Sequence, residues 1–142
     1  MSRAAFATPA LNLATSLPTI PAQPPVILLV DDDRVTRLML QESLRAYGYE
    51  VRMVDNGEDA LDMLVKHGTR IDAVVLDREM PGMNGMAVVT RMKAEPQLAG
   101  IPIIMLTGTG QQESIQQGID AGVFYYLVKP AEDALLRSVI DA

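Results

Sequence analysis

The stretch Val26-Ile27-Leu28-Leu29-Val30-Asp31-Asp32-Asp33 joins five apolar residues directly to three acidic ones. Three of the five apolar residues are β-branched, and a short unbroken apolar run of this kind is typical of a strand that is buried on both faces. Such strands occur in parallel sheets that are covered by helices. The stretch therefore predicts the first strand of an α/β domain, with acidic groups at its carboxyl end.

The same order of apolar run and amphipathic segment continues along the chain. Four more strands are predicted, at Tyr49–Val54, Ala73–Leu76, Ile101–Leu106 and Phe124–Val128. The first two intervening helices carry apolar stripes, which are Val35, Leu38, Met39, Leu40, Leu44 and Tyr47 in one and Ala60, Leu61, Leu64 and Val65 in the other. Five alternations of strand and helix predict a parallel sheet with helices on both faces.

Composition and charge exclude several classes of function. The chain has 142 residues, of which 49% are hydrophobic, and this fits one globular domain. The formal net charge is -6, and the sequence has no run of basic residues, so direct binding to a nucleic-acid backbone is not expected. The absence of cysteine rules out disulfides, thiol catalysis and zinc–thiolate sites. No apolar run approaches the ~20 residues that span a bilayer.

The beginning of the chain differs in composition from the rest. Residues 1–24 are rich in Ala, Thr, Ser and Pro, with Arg3 as the one basic residue. Pro9, Asn12 and Pro18 interrupt the apolar stretch of about 7–15 residues that an export signal needs. We therefore predict a flexible leader or linker over residues 1–24, with an export signal as the alternative, and a single domain over residues 25–142.

Polar groups follow the predicted strands at their carboxyl ends. Asp31 and Asp32 follow the first strand, Asp77 the third, Thr107 the fourth and Lys129 the fifth. These ends lie at one edge of a parallel sheet, where open α/β sheets bind ligands. Three carboxylates in one place repel one another unless a cation compensates, and Mg²⁺ is a hard cation that prefers oxygen ligands. An oxygen nucleophile, a metal and a cationic side chain are the components of phosphoryl transfer.

Four motifs, in this order, resemble the receiver-domain family of two-component response regulators. They are Val30-Asp31-Asp32, then Leu76-Asp77 with Met80-Pro81-Gly82-Met83-Asn84-Gly85, then Met105-Leu106-Thr107-Gly108, and last Tyr126-Leu127-Val128-Lys129-Pro130. The resemblance covers the chain from Val26 to its last residue. It implies a flavodoxin-like, doubly wound (βα)5 fold, whose five-stranded parallel sheet has the order 2-1-3-4-5.

Position by position, the resemblance implies an acceptor, a metal site and a phosphate-binding lysine. Asp77 would accept the phosphoryl group from a phosphohistidine of a partner kinase. Asp31 and Asp32, together with Asp77, would hold Mg²⁺, and Glu79 would add its backbone carbonyl. Lys129 would pair with the phosphate.

The resemblance also implies a conformational switch. Thr107 matches the hydroxyl residue that turns toward the phosphate, and Tyr126 matches the aromatic residue that moves between exposed and buried positions. The side chains of Glu79 and Thr109 would influence the lifetime of the phosphoryl group. Pro130 matches a proline that often follows a cis peptide bond.

Three residues depart from the usual pattern of the family. Asn84 stands where Asp is common, Gly108 where Ala is usual, and Ala131 where an aromatic residue is common. We expect Asn84 to serve as a short polar turn residue and Gly108 to leave the approach to the pocket open. Ala131 is expected to weaken a packing contact without affecting the chemistry.

As a receiver domain, the chain would be a switch that accepts and later hydrolyses its own phosphoryl group, and not a turnover enzyme. The implied partners are a histidine kinase or phosphotransfer protein and an output domain or protein, with no direct contact to nucleic acid or membrane. A homodimer through the fourth helix, fifth strand and last helix is compatible with the resemblance. The implied location is cytoplasmic.

Two other functions stay open from the residues alone. Asp31-Asp32-Asp33-Arg34-Val35 also fits the Asp-x-Asp-x-Thr/Val pattern of haloacid-dehalogenase-type phosphatases, with Asp31 as nucleophile and Asp33 as acid/base. Against this, no acidic metal motif follows Lys129, and Asp77 would be unexplained. The second alternative is a receiver-like module that is not phosphorylated and only binds a partner.

The run of three acids leaves the register of the metal pair open. Asp31 with Asp32 is favoured, because these residues directly follow the apolar run, and Asp32 with Asp33 is the alternative. In the favoured register, Asp33 is expected to cap the first helix, since Asp is common at that position.

Overall fold

The computed structural model of the protein describes residues 23–108, 110–130 and 133–141. The predictions for Thr109, for Ala131 and for residues 1–22 of the leader lie outside these residues. Within the described part of the chain, no helix combines the length and the apolar character that crossing a bilayer requires.

Five strands and five helices alternate along the described residues. They are β1 (Val26–Val30), α1 (Arg34–Ala46), β2 (Glu50–Val54), α2 (Gly57–His67), β3 (Ala73–Asp77), α3 (Gly85–Ala94), β4 (Ile103–Thr107), α4 (Gln112–Asp120), β5 (Tyr125–Val128) and α5 (Asp133–Asp141). A short 3₁₀ turn, Gly68–Arg70, follows α2. The strands form one parallel sheet in the order β2-β1-β3-β4-β5, which confirms the predicted flavodoxin-like topology.

The register of the central strands brings the polar residues to one edge. Val30 of β1 pairs with Leu76 of β3, so Asp31 and Asp77 come next on two adjacent strands. On the other side of β3, β4 ends at Thr107, one position beyond the partner of Asp77. Strand order, and not distance along the chain, therefore determines which side chains meet.

The alternation of side chains along each strand divides the core between the two faces of the sheet. The core under α2 and α3 includes Leu28, Val30, Val74, Leu76, Leu64 and Val88. The core under α1 and α5 includes Ile27, Leu29, Val75, Leu44, Leu136 and Val139. Helices thus cover both faces, as the unbroken apolar strands predict.

Short polar side chains cap the helices that follow β1, β2 and β3 at the carboxyl edge. Asp33 caps α1 by accepting a hydrogen bond of 3.0 Å from the backbone N–H of Thr36, which confirms its expected role. Asn84 caps α3 by accepting a hydrogen bond of 3.0 Å from the backbone N–H of Ala87. A short polar side chain suits this position because its oxygen satisfies an otherwise unpaired N–H of the first turn.

The predicted apolar stripe of α1 is wrong at its first three residues. Val35, Leu38 and Met39 are 63%, 47% and 65% exposed. The buried residues of α1 are Leu40 and Leu44, which lie four residues apart on one side of the helix. The helix carries apolar residues on two sides, and the sheet covers only the side that contains this pair.

Two further residues of the predicted stripes also lie outside the core. Val65 of α2 is 70% exposed, whereas Ala60 and Leu64 are buried, because Val65 lies one position beyond the buried side of the helix. Tyr47, at the end of α1, is exposed, and the Arg137 guanidinium of α5 lies 4.6 Å from the centre of its ring. Tyr47 therefore packs against a cation at the surface instead of the sheet.

Candidate functional site

Three carboxylates lie together at the carboxyl edge of the sheet. Oxygens of Asp31, Asp32 and Asp77 lie within 4.8 Å of one another. Asp31 and Asp77 are 0% and 2% exposed, whereas Asp32 is exposed to solvent. The ends of two adjacent strands thus bring together all three acidic residues that the sequence predicts for this site.

Asp33 does not belong to this cluster. Its carboxylate accepts hydrogen bonds from the hydroxyl and the backbone N–H of Thr36, at 2.6 and 3.0 Å. These bonds, the hydroxyl first, hold the pKa of Asp33 below its usual value. Among the described residues, the acidic group consists of Asp31, Asp32 and Asp77, so the alternative metal pair of Asp32 with Asp33 is not supported.

One lysine joins the two buried carboxylates. Lys129 Nζ lies 3.0 Å from Asp31 Oδ2 and 2.9 Å from Asp77 Oδ1. Lys129 directly follows β5, and its peptide bond to Pro130 is cis, as the resemblance implies. Burial opposes the ammonium charge, but the hydrogen bonds to Asp77 and Asp31, together with the charges of these carboxylates, outweigh burial and raise the pKa of Lys129.

Asp77 holds its proton far more strongly than an ordinary aspartate does. Its pKa is raised from 3.8 to about 7, chiefly because burial disfavours the charged form. The ammonium of Lys129 lowers this pKa, while the charge of Asp31 and a hydrogen bond with Asp32 raise it. A carboxyl group perturbed in this way, at the ligand-binding edge of an α/β sheet, is a candidate for a functional residue.

The donor set of this edge fits a hard divalent cation. Among the residues that the structure describes, three carboxylates face one ammonium there, so negative charge is in excess. Asp32 offers its oxygens from the solvent side, and Asp31 and Asp77 offer theirs from the strand ends. Mg²⁺ prefers carboxylate oxygens and completes its octahedral shell with water and phosphate oxygens. The residues present are therefore suited to Mg²⁺.

Thr107 and Gly108 both donate hydrogen bonds to the side chain of Glu79. Thr107 Oγ1 lies 2.6 Å from Glu79 Oε2, and the backbone N–H of Gly108 donates to Glu79 Oε1 at 2.9 Å. The backbone N–H of Glu79 in turn donates to Asp77 Oδ1 at 3.3 Å. The sequence predicted a backbone role and an influence on phosphoryl lifetime for Glu79, but not that its carboxylate binds the end of β4.

Arg78, which the sequence did not single out, holds Tyr126 and α4. Its Nη1 donates to the hydroxyl of Tyr126 at 2.5 Å and to the carbonyl of Ser114 at 2.8 Å. Its Nη2 donates to Gln117 Oε1 at 2.8 Å. Its position directly after Asp77 could have indicated a role for Arg78. Successive residues at a strand end point to opposite sides of the sheet, so a side chain next to the site residue reaches the neighbouring helices.

Tyr126 lies against α4 at the point where that helix has a glycine. A Cβ on Gly118 would lie 2.4 Å from Tyr126 Cε2, which is closer than real side chains approach. Gly118 therefore leaves the space that the ring occupies. Tyr126 is half-buried, and its hydroxyl is bonded to Arg78, so α4 and Arg78 hold it from two sides.

Comparison with known proteins identifies the family. The family model described as the response regulator receiver domain matches residues 27–141. The chemotaxis protein CheY-3 of Vibrio cholerae is 36% identical over 116 residues, which are 81% of this chain and 88% of that protein. The chain belongs to the response regulator receiver domain family.

Known relatives differ in how much of their own length the chain spans. The transcriptional regulatory protein AfsQ1 of Streptomyces coelicolor is 36% identical over 120 residues, which are 82% of this chain but 51% of that protein. The solved structure of Vibrio cholerae CheY4 has a TM-score of 0.77 at 32% identity and covers 83% of this chain and 97% of that one. The chain therefore matches some regulators over most of their length and others over about half.

Family membership defines the general function. The chain is a receiver domain of two-component response regulators. Such domains act with histidine kinases and output domains, bind Mg²⁺ at an acidic pocket, and are generally not turnover enzymes. The cluster of Asp31, Asp32 and Asp77 is an acidic pocket of this kind. The phosphatase alternative is not supported, since Asp33, its acid/base, is bonded to Thr36 as a helix cap.

Proposed function

We propose that Asp77 is the phosphoacceptor of this receiver domain and that a histidine kinase or phosphotransfer protein supplies the phosphoryl group. The observation that carries the proposal is the position of Asp77, which is buried at the end of β3 and lies 2.9 Å from Lys129. It also shares one cluster with Asp31 and Asp32. An oxygen nucleophile, a cation and metal-binding carboxylates are the groups that phosphoryl transfer needs.

The proposed reaction forms an acyl phosphate on Asp77. A carboxylate oxygen of Asp77 forms the new bond to phosphorus while the bond between phosphorus and the histidine nitrogen of the partner breaks. The electron pair of the broken bond stays with that nitrogen. Lys129 lies beside Asp77 and would pair with a phosphoryl oxygen, which supports the proposal. Later hydrolysis of the acyl phosphate would restore the carboxylate.

Mg²⁺ is the proposed cofactor. Asp31, Asp32 and Asp77 would hold it, together with the backbone carbonyl of Glu79. When bound, the ion neutralises the charge of the carboxylates and of the phosphoryl oxygens. The pKa of Asp77 is expected to fall accordingly, so that the reactive ionised form predominates at neutral pH.

Thr107 and Tyr126 are the proposed switch residues. A phosphoryl group on Asp77 carries a charge of about -2 in place of the single carboxylate charge, and it attracts the donors at this edge, including the Thr107 hydroxyl. Thr107 pairs with Val128 of β5, two residues after Tyr126, so a change at the end of β4 can reach that side chain. The contacts of Tyr126 with Arg78 and α4 would then rearrange.

The face formed by α4, β5 and α5 is the proposed output surface. Ile119, Tyr125 and Val128 are 53%, 46% and 44% exposed there, and exposed apolar side chains support a contact surface. An output domain, a separate protein or a second copy of the chain would bind this face. The homodimer, the cytoplasmic location, the absence of turnover and the boundary between residues 24 and 25 stay predictions.

Labelling with acetyl phosphate in the presence of Mg²⁺ tests the proposed function. Wild type is expected to gain one phosphoryl group and Asp77→Asn none. Asp62→Asn is the matched control, because Asp62 is an exposed acid on α2, paired only at the surface with Lys66 in the described contacts, and should label like wild type. Equal labelling of Asp77→Asn and wild type would refute the assignment. Failure of wild type to bind beryllofluoride would favour the alternative function, a receiver-like module that is not phosphorylated and only binds a partner.

A further inference from the structure

The carboxylate of Glu79 accepts hydrogen bonds from two donors at the end of β4. Its two carboxylate oxygens are used separately, since Oε2 accepts from the Thr107 hydroxyl at 2.6 Å and Oε1 accepts from the Gly108 N–H at 2.9 Å. Hydrogen bonds to a charged acceptor are shorter and stronger than neutral ones. These two donors therefore have a charged acceptor from the chain itself before any phosphoryl group arrives.

The same two donors lie beside Asp77. Asp77 pairs with Leu106, so Thr107 and Gly108 are the next two residues of the neighbouring chain segment. The N–H of Glu79 donates to Asp77 Oδ1 at 3.3 Å, which keeps Glu79 next to the acceptor. A phosphoryl group on Asp77 would bring three strong acceptor oxygens to this place. Two anions cannot both occupy these donors.

We propose that the Glu79 carboxylate is a resident anion, which a phosphoryl group on Asp77 must displace from Thr107 and Gly108. The inference rests on the proposed function of Asp77 and adds a regulatory element to that site. The displacement breaks no covalent bond. The hydroxyl of Thr107 and the N–H of Gly108 exchange one negatively charged acceptor for another.

Glu79 has room to move when it is displaced. It is exposed and borders an open groove of about 950 Å³, whose lining also includes Arg78, Asn84 and Gln117. Gly108 presents no side chain in the path, and a Cβ there would lie 3.8 Å from Glu79 Oε1. The carboxylate can therefore leave its two donors and become solvated without a rearrangement of the core.

The resident anion makes phosphorylation harder to achieve. Its charge repels an incoming phosphoryl group, and its oxygens hold two donors that the phosphoryl group needs. Removing the charge is therefore expected to tighten the binding of a phosphoryl mimic by about tenfold, which one repulsion between neighbouring charges can supply. The site would therefore need a higher level of phosphodonor than the same site without the Glu79 charge.

Beryllofluoride with Mg²⁺ is the probe, because it mimics a phosphoryl group on an aspartate and needs no phosphodonor. Its affinity is measured by NMR titration at saturating Mg²⁺ for wild type, Glu79→Gln, Glu79→Ala and Glu95→Gln. Glu95 is the matched control, since it is exposed and follows the last residue of α3, at the opposite end of that helix from the site. The amide signal of Gly108 in the ligand-free protein reports the bond to Glu79 directly.

Both Glu79 variants are expected to bind beryllofluoride about tenfold more tightly than wild type, while Glu95→Gln binds as wild type does. The ligand-free Gly108 signal is expected to move in Glu79→Ala and to stay in Glu95→Gln. Unchanged affinity in the Glu79 variants, or an unmoved Gly108 signal, would overturn the displacement and leave Asp77 as the acceptor. Absence of binding to every form, wild type included, would overturn the proposed function and this inference with it.

Discussion

Lys129 Nζ lies 2.9 Å from Asp77 Oδ1 and 3.0 Å from Asp31 Oδ2, so one ammonium links residues at the ends of β1, β3 and β5. Both carboxylates are buried, and the lysine side chain is 25% exposed. Removing one partner of a buried ion pair leaves an uncompensated charge, which costs more than the pair contributes. Lys129 therefore supports the fold as well as the proposed chemistry.

Lys129→Met is expected to destabilise the metal-free protein by about 3 kcal/mol at alkaline pH, because Asp31 and Asp77 then face each other without a cation. The loss should shrink at acidic pH, where Asp77 is protonated. Lys129→Arg keeps the charge and serves as the control. Urea unfolding with a chelator checks this, and a Lys129→Met protein as stable as wild type at alkaline pH would show that the ion pair is unimportant.

The raised pKa of Asp77 predicts a stability that falls as the pH rises. The folded protein holds this proton with a pKa of about 7, against an ordinary value of 3.8. The stabilising contribution is complete below 3.8 and is lost as the pH rises through about 7. Without Mg²⁺, Asp77→Asn should therefore escape this loss and exceed wild type in stability by ~4 kcal/mol at alkaline pH.

Chemical unfolding of metal-free protein across this pH range measures the effect. Asp62→Asn is the control, because its side chain is exposed and should follow the wild-type profile. If Asp77→Asn and wild type lost stability in parallel as the pH rose, the loss would not come from Asp77, and a raised pKa of this residue would be refuted.

Asp32 is expected to matter for Mg²⁺ and not for the metal-free fold. Because Asp32 is exposed, Asp32→Asn should keep the metal-free stability within about 0.5 kcal/mol of wild type. Mg²⁺ at about 100 times its Kd should stabilise wild type by roughly 3 kcal/mol, and Asp32→Asn should lose most of that gain at the same concentration. Thermal unfolding with and without Mg²⁺ distinguishes these outcomes. Equal stabilisation of both proteins would place the ion elsewhere.

Gly118→Ala is expected to expel the ring of Tyr126 from its place against α4, since the new Cβ would lie 2.4 Å from Cε2. Such overpacking should cost about 1–3 kcal/mol. Gly100→Ala is the control, because a Cβ there meets nothing within 4 Å. In a Tyr126→Ala background, the cost of Gly118→Ala should largely disappear. A cost that persists in that background would assign the effect to the helix and not to the ring.

The strand-end residues were predictable because parallel topology turns a sequence pattern into proximity. Asp31, Asp77, Thr107 and Lys129 each lie at the end of a recognisable apolar run, and the sheet brings all four strand ends to one edge. The order of the strands came from the resemblance to receiver domains and is confirmed by the pairing. The carboxylate cluster could therefore be predicted without knowledge of side-chain conformation.

The features that the sequence predicted wrongly or did not predict depend on long-range packing, which local sequence patterns do not contain. Val35 and Met39 have helical spacing, but spacing alone does not tell which of two apolar sides the sheet covers. The contacts of Arg78 with Tyr126, and of Glu79 with Thr107, join segments that meet only after the strands pair. Each also depends on side-chain conformation, which the sequence pattern does not specify.

Asp77 is proposed to carry the phosphoryl group as an acyl phosphate, and chemical trapping locates that group directly. Borohydride converts an aspartyl phosphate to homoserine, and mass spectrometry of peptides locates the converted residue. After treatment of wild type with acetyl phosphate and Mg²⁺, we predict conversion of Asp77 and of no other acidic residue. Conversion of Asp31 in its place, or of no residue at all, would contradict the assignment.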